Sequence, residues 1–216
     1  MGNVITSAQM LKVIERICET IEQEKDYLSE LDGAIGDGDH GVNMAKCFRL
    51  VKEKLLISEG QDVGAILKNV GMVILNSVGG AMGALYGTMF LRLSQESAGK
   101  TEVNLNDLVR MFKTAEQGIN DLGKVEIGDK TLLDTIAPAV RALEKAEQEK
   151  KPLMAALDDF KYAAKKGMES TRDLMARVGR ASRLGERTIG HQDAGATSCY
   201  FILRSFSEVI REQESQ

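Results

Sequence analysis

The chain has 216 residues, 43% hydrophobic and 28% charged, close to ordinary globular usage, which excludes a disordered polypeptide. At about one and a half typical domain lengths it reads as one domain over residues 1–216. A net charge of −4 argues against a general nucleic-acid-binding surface, and 5% aromatics are too few for a β-sandwich or barrel. Three cysteines, Cys18, Cys47 and Cys199, lack metal-ligand spacing and read as reduced, buried thiols of a cytosolic protein. The N-terminus has no basic region followed by an apolar core, so no signal peptide is expected.

In chain order, apolar residues recur at helical spacing. Met10, Ile14, Ile17, Ile21 and Leu28 mark a first helix with Ser7 as its N-cap. A second is predicted from about Asn43 to Ile57, and a third carries Val63, Ile66, Leu67, Val70 and Ile74. The stretch from Asn69 to Leu91 holds no charge and is long enough to span a bilayer. Asn76, Ser77, Gly79 and Gly80 in its middle favour instead a break between two buried helices, so no membrane association is expected. The fourth helix then carries Leu85, Met89 and Leu93, and the fifth Leu105, Leu108, Val109, Phe112 and Ile119. The sixth shows Leu132, Ile136, Val140 and Leu143; the seventh Leu153, Leu157, Phe160, Ala164 and Met168. The eighth, after Gly195, shows Cys199, Ile202, Phe206, Val209 and Ile210. No segment reads as a strand. Each helix must bury one stripe, which predicts an all-α fold of eight amphipathic antiparallel helices in a bundle or closed ring.

Glycines gather between the predicted helices, from Gly33 to Gly41, Gly79 to Gly87, Gly118 to Gly128 and Gly179 to Gly195. In an up-and-down arrangement these four connections fall at the same end, which becomes the candidate site. The first contains Asp32, Asp37 and Asp39 among four glycines. Carboxylates so close repel unless a cation sits among them, and all-oxygen ligands suit Mg²⁺, Ca²⁺ or Mn²⁺. A solvated acidic turn with Asp39 or His40 capping the next helix is the alternative. Gly36 to Gly41 also fits the dinucleotide pattern G-x-G-x-x-G, but a helical pattern precedes it where a strand is needed. An EF-hand lacks its closing Glu, and Gly123 to Thr131 is one residue too long for a P-loop. Asp129 reads there as a cap for the sixth helix or a ligand contact. Gly79-Gly80-Ala81-Met82-Gly83 either opens a helix whose bare N–H groups accept an anion or supplies small residues for tight packing. Arg177, Arg180, Arg183 and Arg187 suit phosphate or an acidic protein surface, or form a solvated basic face. Carboxylates for metal, bare helix N–H groups and arginines at one end are the parts of a metal–nucleotide site.

Gly36-Asp37-Gly38-Asp39-His40-Gly41-Val42-Asn43-Met44, Gly79-Gly80-Ala81 with Gly87-Thr88, Gly128-Asp129-Lys130-Thr131, and Gly185-Glu186-Arg187 through Gly190-His191-Gln192-Asp193 together resemble the DhaL family, the nucleotide-binding subunit of bacterial dihydroxyacetone kinase. The resemblance covers essentially the whole chain. It implies an eight-helix closed barrel with ADP or ATP and two Mg²⁺ at one end. Asp32, Asp37 and Asp39 would ligate Mg²⁺. Nucleotide contacts are implied for His40, Gly41, Asn43, Met44, Ala81, Met82, Gly123, Leu132, Arg180, Asp193, Ala194 and Gly195. Met82 stands where the family usually has Ser, and a thioether cannot donate to phosphate. No side chain is assigned as catalytic, because the bound nucleotide carries the phosphoryl group.

The resemblance further implies two partners, a K-type subunit holding dihydroxyacetone and an M-type phosphotransferase-system subunit that rephosphorylates the retained ADP. A homodimer is compatible with the sequence. Two other readings stay open: the nucleotide subunit of an ATP-dependent or other small-ketose kinase, and a non-catalytic nucleotide sensor docking on a regulator. A fatty-acid kinase nucleotide domain is disfavoured, since its large companion domain is not expected here.

Overall fold

The computed structural model describes residues 3–55 and 60–214. A short strand, β1 (Val4–Thr6), leads into α1 (Ser7–Gln23), α2 (Lys25–Ile35), α3 (His40–Leu55), α4 (Val63–Ser77) and α5 (Gly80–Glu96). β2 (Glu102–Asn104) precedes α6 (Leu105–Gly123), α7 (Leu133–Gln148) and α8 (Leu153–Ser170). Two 3₁₀ segments, Thr171–Asp173 and Ala181–Thr188, lead to α9 (Ala194–Glu214).

The predicted stripes are buried, with Met10, Ile14, Ile17, Ile21 and Leu28 fully so. The predicted first helix is nevertheless two. The chain breaks at Glu24, and Ile21 and Leu28 keep the apolar spacing across the break, which hides it from the sequence. The N-cap of α1 is Thr6 rather than Ser7: Thr6 Oγ1 accepts from the Gln9 N–H at 3.2 Å while Gln9 Oε1 accepts from the Thr6 N–H at 2.9 Å. The second predicted helix begins earlier, at His40; the part of it at 56–57 lies outside the described residues. The uncharged stretch does break, at Val78–Gly79, and no helix among the described residues is long and apolar enough to cross a membrane.

Two expectations are corrected. Strands do exist: β1 and β2 pair antiparallel with Ile5 opposite Val103, both fully buried. Three residues each are too few to show alternation. The eight-helix closed barrel is also overturned. Nine α-helices are present among the described residues, and they form a bundle whose contacts cut across any ring order: α7 meets α9, α1 meets α4, and α3 meets α9. Its interior is filled. Phe112 of α6 lies 4.8 Å from Phe160 of α8 and 5.3 Å from Phe206 of α9, ring centre to ring centre, in tilted and edge-on geometry. The sheet has only these two strands and does not close on itself.

Close helix crossings depend on small residues. A Cβ on Gly41 would overlap the Lys25 carbonyl oxygen and crowd Ser29, where α3 crosses α2. Gly41→Ala is therefore expected to push the two helices apart and cost about 2–3 kcal/mol, read as a Tm lowered by roughly 4–12 °C. An unchanged melting curve would show that the crossing has slack.

Candidate functional site

The four glycine-rich connections meet at one end around a cleft of about 470 Å³. It is lined from the first connection by Asp32, Asp37, Asp39, His40 and Asn43, and from the second by Val78 to Met82. Gly123, Val125, Lys130 and Leu132 line it from the third, and Arg180 and Asp193 to Gly195 from the fourth. Two residues assigned to nucleotide contact do not line it. Gly41 faces α2, and Met44 is 1% exposed inside the core. Helix geometry explains this: His40 and Asn43 share one face of α3, whereas Gly41 and Met44 share the next.

Asp32 lies in the last turn of α2, and Asp37 and Asp39 follow on the turn beyond it, where Gly38 at φ +76° bends the chain. One oxygen from each of the three carboxylates lies within 4.8 Å of the others. The Arg180 guanidinium pairs with Asp37 and stands 3.9 Å from Asp39. The cluster thus already draws a cation, and its donors are all oxygen, which fits Mg²⁺. Asp32 also accepts from the His40 N–H at 3.3 Å, so Asp32, not Asp39 or His40, reaches the open start of α3 by its side chain.

α5 opens at Gly80, and its N-cap Gly79 has no side chain to offer, leaving the first-turn N–H groups uncapped beside the cleft. Met82 in that turn packs against the core. Its thioether is a packing group, while its N–H belongs to the uncapped turn. α9 begins differently: Asp193 Oδ2 accepts from the Ala196 N–H at 2.7 Å. Burial pushes the Asp193 carboxyl up to about 6, against that hydrogen bond and the Lys130 ammonium. Burial also pushes His40 down to about 4, opposed by Asp32. Its Nε2 lies 2.8 Å from Ser198 Oγ, which lies 2.6 Å from the Tyr86 hydroxyl.

The third connection is organised by Asp129 in another role than the one expected, and by Asp134 and Lys130, to which the sequence reading gave no role. Asp129 does not cap α7; it accepts from the Glu126 N–H at 2.7 Å and closes a turn. Asp134 instead accepts from Gly128 N–H at 2.6 Å and Thr131 N–H at 2.7 Å. Lys130, 3% exposed and at φ +65°, donates to the carbonyls of Thr171 (2.7 Å), Leu174 (3.2 Å), Thr188 (2.9 Å) and His191. Burial lowers its pKa, opposed by Asp193, Asp173 and Asp134. Only Arg180 of the four arginines lines the cleft; Arg177, Arg183 and Arg187 are exposed outside it. His191 contributes its carbonyl to Lys130 while its exposed ring does not line the cleft. The three cysteines are buried and free, and burial raises Cys18 to about 12 and Cys47 to about 11, far from thiolate chemistry.

Three clustered carboxylates, an uncapped helix start and one arginine around a cleft are the chemical parts of a site for a phosphorylated ligand with a divalent cation. The family described as the DAK2 domain matches residues 34–208, and the chain belongs to that family. It is 40% identical over 208 residues to the "PEP-dependent dihydroxyacetone kinase, ADP-binding subunit DhaL" of Escherichia coli (strain K12), covering 96% of this chain and 99% of that protein. It is 39% identical over 211 residues to the "PEP-dependent dihydroxyacetone kinase 2, ADP-binding subunit DhaL" of Listeria innocua, covering 97% of each. The crystal structure of the dihydroxyacetone kinase of C. freundii in its native form superposes with a TM-score of 0.70 at 22% identity, over 94% of this chain and 34% of that one. The chain thus shares a fold with about a third of that enzyme.

Proposed function

We propose that this chain is the nucleotide-carrying subunit of a dihydroxyacetone kinase. In this reading a retained ADP/ATP with Mg²⁺ relays a phosphoryl group from an M-type phosphotransferase-system donor to dihydroxyacetone on a separate K-type subunit. The observation that carries it is the meeting of the carboxylate triad, the uncapped α5 start and Arg180 in one cleft. The names of the full-length relatives support it, as does a related fold crystallised with AMP-PNP and Mg²⁺ (TM-score 0.70, 21% identity).

Bound Mg·nucleotide supplies the transferable phosphoryl group. The chain's residues bind and orient it. Asp32, Asp37 and Asp39 would hold the cation, whose charge would offset the repulsion between three carboxylates and a phosphate. The N–H groups of α5's first turn donate to the remaining phosphate oxygens. Arg180 offsets part of the charge of Asp37 and Asp39 here; with a divalent cation among the carboxylates, its guanidinium would be available to phosphate. The chain's own role is therefore binding and charge compensation rather than attack by a side chain.

The purified chain is expected to release ADP and Mg²⁺ on denaturation, and the stripped chain to rebind ADP only with Mg²⁺, by calorimetry. Supplied with K-type and M-type subunits and phosphorylated donor, it is expected to support phosphorylation of dihydroxyacetone. Failure to bind ADP would overturn the reading. Binding without transfer would leave the chain a nucleotide sensor.

A further inference from the structure

We infer that Ser198 and Tyr86 are positioning residues that hold His40 with its proton on Nε2, so that the ring offers the cleft an acceptor and not a donor. The argument is a count of protons along a buried chain of contacts. Tyr86, buried in the core, places its hydroxyl 2.9 Å from the Gly195 carbonyl oxygen and 2.6 Å from Ser198 Oγ. Ser198, fully buried, stands 2.8 Å from His40 Nε2.

A carbonyl only accepts, so the 2.9 Å contact between Tyr86 and Gly195 is filled only when the Tyr86 proton is spent on it. The Ser198 proton then goes to the Tyr86 oxygen, or is shared with the Gly195 carbonyl 3.2 Å away. The His40–Ser198 contact is left to be made by a proton on Nε2. If Nε2 carries no proton, two hydroxyl protons must serve three contacts, and one of them, Tyr86 to Gly195 at 2.9 Å or Tyr86 to Ser198 at 2.6 Å, is left with no proton between its oxygens. Buried oxygens are not left so. The chain joins the starts of α3 and α9 to the first half of α5, three elements that border the cleft.

Nε2 is spent on buried Ser198, so Nδ1 is the ring nitrogen that remains to serve a ligand in the cleft His40 lines. In the neutral ring Nδ1 carries a lone pair. It takes a hydrogen bond from a hydroxyl or a water and gives none to a phosphate oxygen. This deepens the nucleotide reading and rests on it for the identity of the ligand, not for the tautomer.

The chain has only two histidines, so a His191→Asn background leaves a single imidazole to observe. Long-range ¹H–¹⁵N correlation of the full chain at about pH 8, where an unshifted imidazole is neutral, is expected to show Nε2 protonated, with or without Mg·ADP. Ser198→Ala and Tyr86→Phe are expected to give a mixture of tautomers with the helical spectrum intact, and Ser198→Thr to restore the single form. ADP affinity is expected to fall roughly five- to tenfold in Ser198→Ala and to recover in Ser198→Thr. A wild-type ring protonated on Nδ1, a switch to Nδ1–H on adding Mg·ADP, or a tautomer indifferent to Ser198→Ala would each overturn the inference. Absence of ADP binding by the wild type would overturn the nucleotide reading and leave the tautomer result to stand alone.

Discussion

Lys130→Met is expected to detach the segment 171–193 from the bundle and to abolish nucleotide binding. The three protons of the ammonium are shared among four backbone carbonyls, those of Thr171, Leu174, Thr188 and His191, which come from both 3₁₀ segments and the turns around them. With the nitrogen removed, those buried acceptors lose a charged donor together. A hydrogen bond from a charged donor is worth about 1.5–3 kcal/mol, so losing two or more of these outright is expected to cost at least about 3–6 kcal/mol, read as a Tm lowered by roughly 6–24 °C. The loss should be local first: amide exchange should rise across 171–193 before the helices melt. Arg180 and Asp193 are carried on that segment or at its end, so ADP retention should go with it. Lys130→Arg should not rescue, because a planar fork cannot aim at four carbonyls surrounding one nitrogen. A Tm within about 2 °C of the parent, with unchanged exchange, would show that the carbonyls find water instead.

That lysine illustrates where the sequence stops being legible. Helices such as α6 announce themselves because Leu108, Phe112, Ala115 and Ile119 repeat at three and four, and burial of that stripe forms the core. The converging loops were legible for a related reason: glycines cluster where backbone must turn, and alternate connections share an end. Lys130 carries no such mark. Its role depends on four carbonyls distant in sequence, and backbone oxygens are the same in every residue. The same blindness hid Tyr86 and Ser198, which read as ordinary helix residues until α5 and α9 are set side by side. Gly41 and Met44 show the opposite limit. Their motif is contiguous in sequence, but a helix beginning at His40 sets His40 and Asn43 on the cleft and turns Gly41 and Met44 away from it. The break at Glu24 and the three-residue strands lie below the length at which periodicity can be read.

Asp39→Asn and Asp37→Asn are expected to look alike without ligand and to part company with it. Both carboxylates are about half exposed, at 54% and 45% of their side-chain surface. Neutralising either relieves repulsion within the triad and loses a solvent-screened contact to Arg180, and such effects stay within about 0.5 kcal/mol. The metal-free Tm should therefore stay within about 2 °C of the parent. Mg·ADP at about a hundredfold its Kd stabilises a folded protein by ~2.7 kcal/mol, a rise of roughly 5–11 °C. Asp39→Asn should forfeit that rise, since a neutral amide replaces an anionic ligand while Arg180 remains held by Asp37. Asp37→Asn loses a cation ligand too, but it also releases the guanidinium from its partner. The freed arginine can then meet phosphate directly, and weak ADP binding that resists EDTA should appear in this variant alone. Thermal shifts and calorimetry with and without EDTA separate the two. Equal EDTA-resistant binding in both variants, or none in either, would show that the pairing of Arg180 with Asp37 does not govern access of the arginine to the nucleotide.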